Sequence, residues 1–192
     1  MHFPRFPWVP ATGLLAAVLL VPPRTAVTAD APPSLKEAFH PHFLVGTAVN
    51  RSHVTGSGGR RTAEQIAAEI ALVKRPFNQI TAENDMKWQL IHPREGVDGY
   101  DFGPADAFVN FGLTHGMHLA GHTLVWHSQT PDWVFAGTNP PPASASPAPG
   151  NGPGGFGRIY SGPRASREEL LARMRDHIHT VVGRYKGKVK AW

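Results

Sequence analysis

Hydrophobic positions along the chain follow two periodicities, one typical of buried strands and one typical of amphipathic helices. Short, β-prone apolar runs predict strands at residues 43–49, 77–82, 117–126 and, opening the last segment, 189–192. Apolar residues at helical spacing predict helices at 62–75 and 166–185, and Pro104 near the start with Gly116 after the end indicates a third helix at 104–113. Strand and helix therefore alternate, which is typical of parallel strands joined by right-handed crossovers. An eight-stranded βα barrel and a doubly wound sheet both begin in this way, and the pattern alone does not separate them.

Two of the predicted helices have clear start signals. Thr62 is followed three residues later by Gln65, and Ser166 is followed by Glu169, so both segments have the form of a capping box. Pro76 ends the first of these helices because its ring is incompatible with a helical residue before it. These signals place the helix starts more firmly than the apolar spacing does.

The first residues of the chain have the pattern of a secretory signal peptide. Arg5 precedes an apolar run at 14–21, and the small residues Ala29 and Ala31 follow as cleavage positions. The apolar run is too short to span a bilayer comfortably. We therefore expect residues 1–31 to be removed, the mature protein to be secreted and extracellular, and no membrane association to remain after cleavage.

Composition narrows the class of protein. Of the 192 residues, 41% are hydrophobic and 17% charged, which suits a globular domain and argues against a mostly disordered chain. The absence of cysteine excludes disulfides, thiolate metal sites and a catalytic thiol. The net charge of +5 comes from scattered cations, so solvated faces account for it better than a nucleic-acid site, which stays as an alternative. Residues 136–163 are rich in Gly, Pro, Ser and Ala and predict a flexible inserted loop.

The second strand runs directly into a short polar turn. Glu83, Asn84 and Lys87 place a carboxylate, an amide and an ammonium within a few residues of one another. Sugar hydroxyls both donate and accept hydrogen bonds, so a mixed set of this kind suits a carbohydrate site. The alternative is an ordinary polar loop in which Asn84 or Asp85 caps the next turn.

The third strand leads into a segment rich in histidine and tryptophan. His122, Trp126 and Gln129 combine an indole face, which can stack on a pyranose ring, with groups that orient hydroxyls. A metal site at His122 and His127 is disfavoured because their spacing fits no helical ligand motif. The alternative is a core tryptophan with a buried histidine at His127. No glycine fingerprint follows the first strand, so no dinucleotide cofactor is expected, and no cofactor or metal of any kind is predicted.

Together these segments resemble glycoside hydrolase family 10, the retaining endo-β-1,4-xylanases. The matching stretches are 77–88, 100–106, 121–129 and 177–192, within a similarity that runs from Leu35 to the end apart from the inserted loop. The motif Glu-Asn-x-x-Lys-Trp followed by Gly-His-Thr-Leu-Val-Trp-His is highly specific in this order. Two features depart from the family: Ala120 stands where arginine is usual, and the loop at 136–163 is longer.

The resemblance implies an α/β fold of the (β/α)8 barrel type, of which residues 32–192 would supply about the first four strands and three helices. It implies endo-hydrolysis of 1,4-β-xylosidic bonds in xylan by a retaining mechanism, in a monomer that binds no nucleic acid. The residues that it implies for substrate binding are Glu83, Asn84, Lys87, His122, Trp126 and Gln129. A β-1,4-glucanase of the same family and a non-catalytic carbohydrate-binding protein are the alternatives.

The catalytic carboxylates are expected outside this sequence. In the family, the motif around Trp192 continues into Asp-Val-Val-Asn-Glu, whose glutamate is the acid/base, and the nucleophile comes later. A retaining glycosidase needs both carboxylates, about 5 Å apart. The resemblance therefore predicts that this chain is an N-terminal fragment of the enzyme and is inactive on its own.

Overall fold

A three-stranded parallel sheet organises the structure, which is a computed structural model describing residues 32–137, 160 and 162–192. The strands are β1 (Gly46–Val49), β2 (Gln79–Ala82) and β3 (His118–Ala120), and they lie side by side in that order. Val49 pairs with Ala82, and Thr81 pairs with Ala120, so the carboxyl ends of all three strands meet at one edge. The predicted signal peptide and the interior of the predicted loop lie outside the described residues.

Six α-helices accompany the strands in the described part of the chain. They are α1 (Leu35–Ala38), α2 (Arg51–Thr55), α3 (Ala63–Lys74), α4 (Trp88–Ile91), α5 (Gly103–Thr114) and α6 (Arg167–Arg184). The long helices α3, α5 and α6 occupy the three predicted positions. The other three were not predicted, because a helix of one turn is too short to show a hydrophobic repeat. Single 3₁₀ turns occur at Val97–Gly99 and Asp132–Val134.

Both predicted capping boxes are confirmed. Gln65 N donates to Thr62 Oγ1 at 3.3 Å while Thr62 N donates to the Gln65 side chain at 2.9 Å. Ser166 and Glu169 exchange the same pair of bonds, at 3.2 and 2.7 Å. Each pair satisfies backbone groups that the first turn of a helix leaves without intrahelical partners.

The third and fourth strands are shorter than the sequence predicts. The strand predicted at 117–126 ends at Ala120, so its extension to residue 126 is wrong. The predicted fourth strand is a single parallel bridge from Ala120 to Ala191, in which Gly121 N donates to Ala191 O at 2.7 Å. The chain leaves the sheet at Gly121, where a Cβ atom would lie 2.2 Å from Cε3 of the Trp192 ring. A glycine therefore lets the indole lie directly against the backbone.

The hydrophobic core lies between the sheet and the long helices. Its most deeply buried side chains include Ile80 and Leu119 from the sheet, Phe108 from α5, and Val181 and Tyr185 at the end of α6. Helix α5 approaches the sheet closely because Gly112 lacks a side chain, since a Cβ there would lie 2.3 Å from Leu119 Cδ2. This core holds the sheet rigid, so the loops at its carboxyl edge start from fixed points.

A polar network joins α5 to α6 at the border of the core. Arg184 Nη2 donates to Asp106 Oδ2 at 2.5 Å, and the Tyr185 hydroxyl donates to Asp106 Oδ1 at 3.0 Å. The bonds from Arg184 lower the pKa of Asp106, and burial raises the pKa of the Tyr185 hydroxyl. Every charge in this network therefore has an opposite charge or a hydroxyl as its partner.

In the described ranges, no helix is long and apolar enough to cross a bilayer.

Candidate substrate-binding site

Two polar segments meet at the carboxyl edge of the sheet, one following β2 and the other following β3. Glu83 N donates to Val49 O at 2.9 Å, which carries the sheet register one residue beyond β2. Gln89 N donates to Gln129 O at 2.9 Å and joins the two segments through their backbones. Side chains far apart in sequence are thereby held within reach of each other.

Three of the predicted binding residues form a closed set of hydrogen bonds, which we call the amide–lysine triangle: Asn84, Lys87 and Gln129. Lys87 Nζ donates to Asn84 Oδ1 at 3.0 Å and to Gln129 Oε1 at 2.5 Å. Gln129 Nε2 donates in turn to Asn84 Oδ1 at 3.0 Å. The triangle fixes the relative orientation of an ammonium and two amides, the mixture of donors and acceptors that a sugar hydroxyl can use.

Lys87 is buried at the base of this site, with 6% of its surface exposed. Its Nζ lies 4.3 Å from the centroid of the Trp126 ring, within range of a cation–π interaction. Burial lowers the pKa of Lys87, and the negative charge of Glu83 opposes that effect. The ammonium is therefore desolvated while its hydrogen-bond partners are neutral amides.

His122 and Trp126 form the aromatic side of the same rim. Their ring centroids lie 5.5 Å apart with the planes inclined at 60°, and the imidazole is exposed while the indole is half-buried. The peptide bond between His122 and Thr123 is cis. Gln129 has a φ of 53°, in the left-handed region that costs a non-glycine residue about 1–3 kcal/mol. The conformation of Gln129 is maintained because the surrounding contacts fix its backbone.

The structure brings the predicted site residues to one rim. A chain of contacts joins Asn84, Gln129, Lys87, Trp126 and His122 in that order. Glu83 is exposed beside them and acts on Lys87 through its charge. The rim therefore combines one exposed carboxylate, a desolvated ammonium, two amides, an imidazole and an indole face.

Two alternatives for these segments are wrong. His127 is exposed, with its ring 4.8 Å from that of Trp126, so it is not a buried core histidine. Neither Asn84 nor Asp85 caps the following turn, since the N-cap residue of α4 is Lys87. The Lys87 side chain makes no capping hydrogen bond. The Asp85 carboxylate instead accepts from Arg51 at 2.7 Å.

The ion pair between Arg51 and Asp85 is a feature of the site that the sequence did not predict. It ties α2, which follows β1, to the turn that follows β2. The bond that Arg51 donates to the Asp85 carboxylate raises the pKa of Arg51. The two residues are 34 positions apart, and no local pattern in the sequence indicates that they meet.

A second unpredicted feature lies beneath the rim, and we call it the floor cluster: Trp88, His92, Trp133 and His177. The His177 ring stacks on Trp88 at a centroid distance of 4.0 Å and an angle of 5°. Trp133 meets both Trp88 and His92 edge-on, and its Nε1 donates to His92 O at 3.1 Å. His177 lies in the apolar stripe of α6, four residues before Val181, which was the available signal for its burial.

The loop predicted at 136–163 begins and ends at adjacent points. Gly137 N donates to Pro163 O at 2.9 Å, and Ala136 forms an antiparallel bridge with Arg164. Arg173 of α6 fixes this stem by donating to Ala136 O at 2.7 Å.

Within the described ranges, no group of three or more His, Asp or Glu side chains is placed to hold a metal ion.

Comparison with known proteins matches this arrangement to one family. The family described as Glycosyl hydrolase family 10 matches residues 34–192. A beta-1,4-xylanase of Dictyoglomus thermophilum is 42% identical over 160 residues, which cover 83% of this chain and 34% of that protein. Endo-1,4-beta-xylanase A of Xylanibacter ruminicola is 36% identical over 181 residues, 94% of this chain and 40% of that protein. The chain thus spans between about a third and two-fifths of the length of these two curated relatives.

Solved structures show the same likeness. A GH10 endoxylanase retrieved from sugarcane soil metagenome aligns with a TM-score of 0.62 and 36% identity, over 84% of this chain and 39% of that one. A psychrophilic family 10 endo-β-1,4-xylanase aligns with a TM-score of 0.61 and 32% identity, over 84% and 39% of the two chains. The likeness implies the (β/α)8 barrel, and the three-stranded parallel sheet is consistent with part of one. The chain belongs to glycosyl hydrolase family 10.

Proposed function

We propose that this chain is the substrate-binding N-terminal part of an endo-1,4-β-xylanase that cleaves internal bonds of xylan with retention of configuration. The observation that carries the proposal is the amide–lysine triangle lying under the Trp126 ring. Relatives named as xylanases align with 83% and 94% of this chain and support the substrate class.

The proposed division of roles follows the chemistry of each side chain. Glu83, Asn84 and Lys87 bind xylose units on the non-reducing side of the scissile bond. His122 and Trp126 line the subsite where the bond breaks, and Gln129 reaches the next sugar outward. These assignments rest on the family resemblance together with the observed convergence of the side chains.

A xylopyranose unit suits such a rim for two reasons. Its C–H face can stack on the indole of Trp126, and its hydroxyls can exchange bonds with the ammonium and the amides. The triangle holds these groups before substrate arrives, which reduces the ordering that binding requires. Hydrogen bonds to hydroxyls of the reacting sugar strengthen as the oxocarbenium-like transition state forms, so this part of the site contributes to rate as well as to affinity.

The acid/base and the nucleophile are proposed to come from the barrel segments that follow Trp192 in the family. Retention requires one carboxyl group to protonate the leaving oxygen and a second, about 5 Å away, to attack the anomeric carbon. At the rim described here, Glu83 is exposed and Asp85 is paired with Arg51. We accordingly expect residues 34–192 alone to bind xylo-oligosaccharide weakly at most, and not to hydrolyse it.

The enzyme is further proposed to act outside the cell. The support is the sequence pattern of residues 1–31, which ends in the small residues expected before a signal-peptidase cut. Expression of the chain with its own N-terminus in a bacterial host, followed by N-terminal sequencing of the exported protein, tests this. A mature protein that still begins at Met1 would contradict it.

The function is tested in a protein that we call the completed barrel. It joins residues 34–192 to the part of the Dictyoglomus thermophilum enzyme that follows the region matched by this chain. We expect it to hydrolyse xylohexaose, with the β-anomer as the first product seen by NMR, while residues 34–192 alone do not.

Four other outcomes would each contradict one part of the proposal. Preferential cleavage of cellohexaose would indicate a β-1,4-glucanase, and binding of xylohexaose without turnover would favour a carbohydrate-binding protein. Turnover by residues 34–192 alone, abolished in Glu83→Gln, would show that the missing carboxylates are not needed. A folded completed barrel that neither binds nor cleaves xylohexaose would contradict the proposed site itself.

A further inference from the structure

Two acidic residues flank Asn84 in the turn that follows β2, and one of them is buried. Glu83 is exposed, whereas Asp85 has 6% of its surface exposed. Arg51 Nη2 and Nε donate to the same oxygen of Asp85, Oδ1, at 2.7 and 3.1 Å. The guanidinium thus supplies the positive charge that a carboxylate withdrawn from water requires.

The turn is short, and its central residues are held from two sides. Lys87 N donates to Asn84 O at 2.9 Å, which closes the turn around Asp85 and Met86. The Met86 side chain is buried in the hydrophobic core. The bonds from Arg51 hold Asp85 on the other side. Because Lys87 is the next residue, this turn sets the direction in which its side chain leaves the backbone.

Arg51 projects from a part of the chain that is itself well fixed. It is the first residue of α2, whose N-cap residue is Asn50. Ser52 Oγ donates to Asn50 Oδ1 at 2.6 Å, and Val54 packs against the hydrophobic core. The backbone of Arg51 is therefore anchored, and its guanidinium can hold a segment that follows the neighbouring strand.

The two partners of this ion pair differ in their exposure to water. The Arg51 side chain is 53% exposed and the Asp85 side chain 8%. Water can hydrate the guanidinium if Asp85 loses its charge, but the carboxylate stays buried if Arg51 is removed. A buried charge left without its partner is costly for the folded structure. The turn therefore depends on Arg51 more than Arg51 depends on the turn.

We propose that Arg51 is a positioning residue, which fixes the turn after β2 by holding the Asp85 carboxylate and so keeps Lys87 in the amide–lysine triangle. Lys87 Nζ donates to both amide oxygens of the triangle, at 3.0 and 2.5 Å, and a shift of the turn would break both bonds. Any effect on xylan rests on the proposed function, whereas the arrangement of the turn does not.

The arrangement is tested by the reactivity of Lys87 in the 192-residue chain. Acetylation by acetic anhydride, followed residue by residue by mass spectrometry, compares Lys87 with Lys36, whose Nζ donates to Lys74 O at 2.7 Å at the end of α3. In Arg51→Met, we expect Lys87 to react roughly tenfold faster through local opening, with Lys36 unchanged. Loss of a nearby positive charge by itself would raise the pKa of Lys87 and slow its acetylation, so an acceleration reports movement of the turn.

A second substitution separates this role from general packing. Asp85→Asn by itself should change the labelling of Lys87 by less than about twofold, because water hydrates the guanidinium that remains. In Arg51→Met/Asp85→Asn no buried charge is left, so the protection of Lys87 should return and the two effects should not add. Arg60 is exposed in the glycine-rich loop after α2, so Arg60→Met is the matched control and should leave both lysines unchanged.

In the completed barrel, the same variants distinguish positioning from direct contact with the substrate. Arg51→Met should raise KM for xylohexaose several-fold with a smaller change in kcat, because the turn is proposed to bind xylose units on the non-reducing side of the scissile bond. Addition of Asp85→Asn should restore KM. A direct bond from Arg51 to the sugar would also raise KM when lost, but Asp85→Asn would not restore it.

Four results would overturn the proposal. Unchanged or slower labelling of Lys87 in Arg51→Met would show that the turn does not depend on the guanidinium. Equal acceleration at Lys87 and Lys36 would show general loosening, and equal reactivity of both lysines in the unsubstituted chain would show that Lys87 is not held. Failure of Asp85→Asn to restore protection would show that Arg51 does not act through Asp85. If the completed barrel is inactive without any substitution, the proposed function fails while the labelling still decides the role of Arg51.

Discussion

The amide–lysine triangle and the network of Asp106, Arg184 and Tyr185 are both built from tertiary hydrogen bonds, but they treat charge in opposite ways. In the network, an acid on α5 meets a guanidinium and a hydroxyl from the end of α6. In the triangle, an ammonium with 6% exposure meets two neutral amide oxygens. Burial is the largest influence on the pKa of Lys87, whereas the bond from Arg184 is the largest influence on the pKa of Asp106.

This difference separates a structural role from a functional one. A paired charge at the border of a core contributes to the attachment of two helices and needs no further partner. A buried ammonium with neutral partners is costly for the folded protein, because the loss of hydration is not offset by an ion pair. Groups of this kind concentrate at sites where a ligand completes the bonding, which is why the triangle and not the network is assigned to substrate.

The largest effect is expected for Lys87→Met in the completed barrel. Loss of charge-assisted bonds to sugar hydroxyls should remove about 3 kcal/mol of transition-state stabilisation, which lowers kcat/KM for xylohexaose more than a hundredfold. The free energy of unfolding in urea should stay the same or rise, because a buried charge with neutral partners is removed. A variant that loses stability but keeps kcat/KM would show that Lys87 is structural and does not bind substrate.

Acidification should weaken the floor beneath the triangle. The pKa of His177 is about 4 in the folded chain and 6.5 as the ordinary value, so the unfolded chain binds more protons between these limits. Stability from this group is therefore complete above pH 6.5 and is lost as the pH falls toward 4, by about 3 kcal/mol in total.

Urea unfolding of the completed barrel at a series of pH values between 7 and 4 measures this loss. His177→Phe should remove most of the dependence, while the part due to the neighbouring His92 remains. Burial lowers the pKa of His92 too, and its hydrogen bond with Gly96 O and the charge of Glu95 oppose that effect. An unaltered pH dependence in His177→Phe would mean that other groups govern acid stability.

Removal of one amide from the triangle should have a smaller effect on catalysis than loss of the cation. In Asn84→Ala, the bonds from Lys87 and Gln129 lose their shared acceptor. We expect kcat/KM for xylohexaose to fall by an amount that corresponds to about 2 kcal/mol of transition-state stabilisation. This lies within the range for a buried polar group left without a hydrogen-bond partner. Unchanged kinetics would remove Asn84 from the site.

The smallest effect is expected in the structural network. Asp106→Asn removes the negative charge that Arg184 and Tyr185 share, but the Arg184 and Asp106 side chains are partly exposed, so solvent screens their ion pair. We expect unfolding stability to fall by about 1 kcal/mol with KM for xylohexaose unchanged. A rise in KM would show that the α5–α6 attachment reaches the rim, and that the two networks are not separable.

Local patterns predicted the regular parts of this molecule and the types of residue at its rim. Helices α3 and α6 were predicted because each shows an apolar stripe, and the capping boxes placed their starts. Helix α5 was predicted from Pro104 near its start and Gly116 after its end. The extension of β3 was mispredicted because residues 121–126 are as apolar as a strand. There, Trp126 packs over Lys87 and the Trp192 ring lies against Gly121 instead.

By itself, the sequence determined the alternation of parallel strands and helices, the family, and the six side chains offered to a sugar, because these depend on periodicity and on motifs read along the chain. Only the tertiary structure decided that Lys87 bonds Gln129 rather than Glu83, that Arg51 is paired with Asp85, and that His177 stacks on Trp88. These contacts join residues separated by between 34 and 89 positions. Packing and burial determine which residues form such pairs, and a short stretch of sequence does not indicate either one.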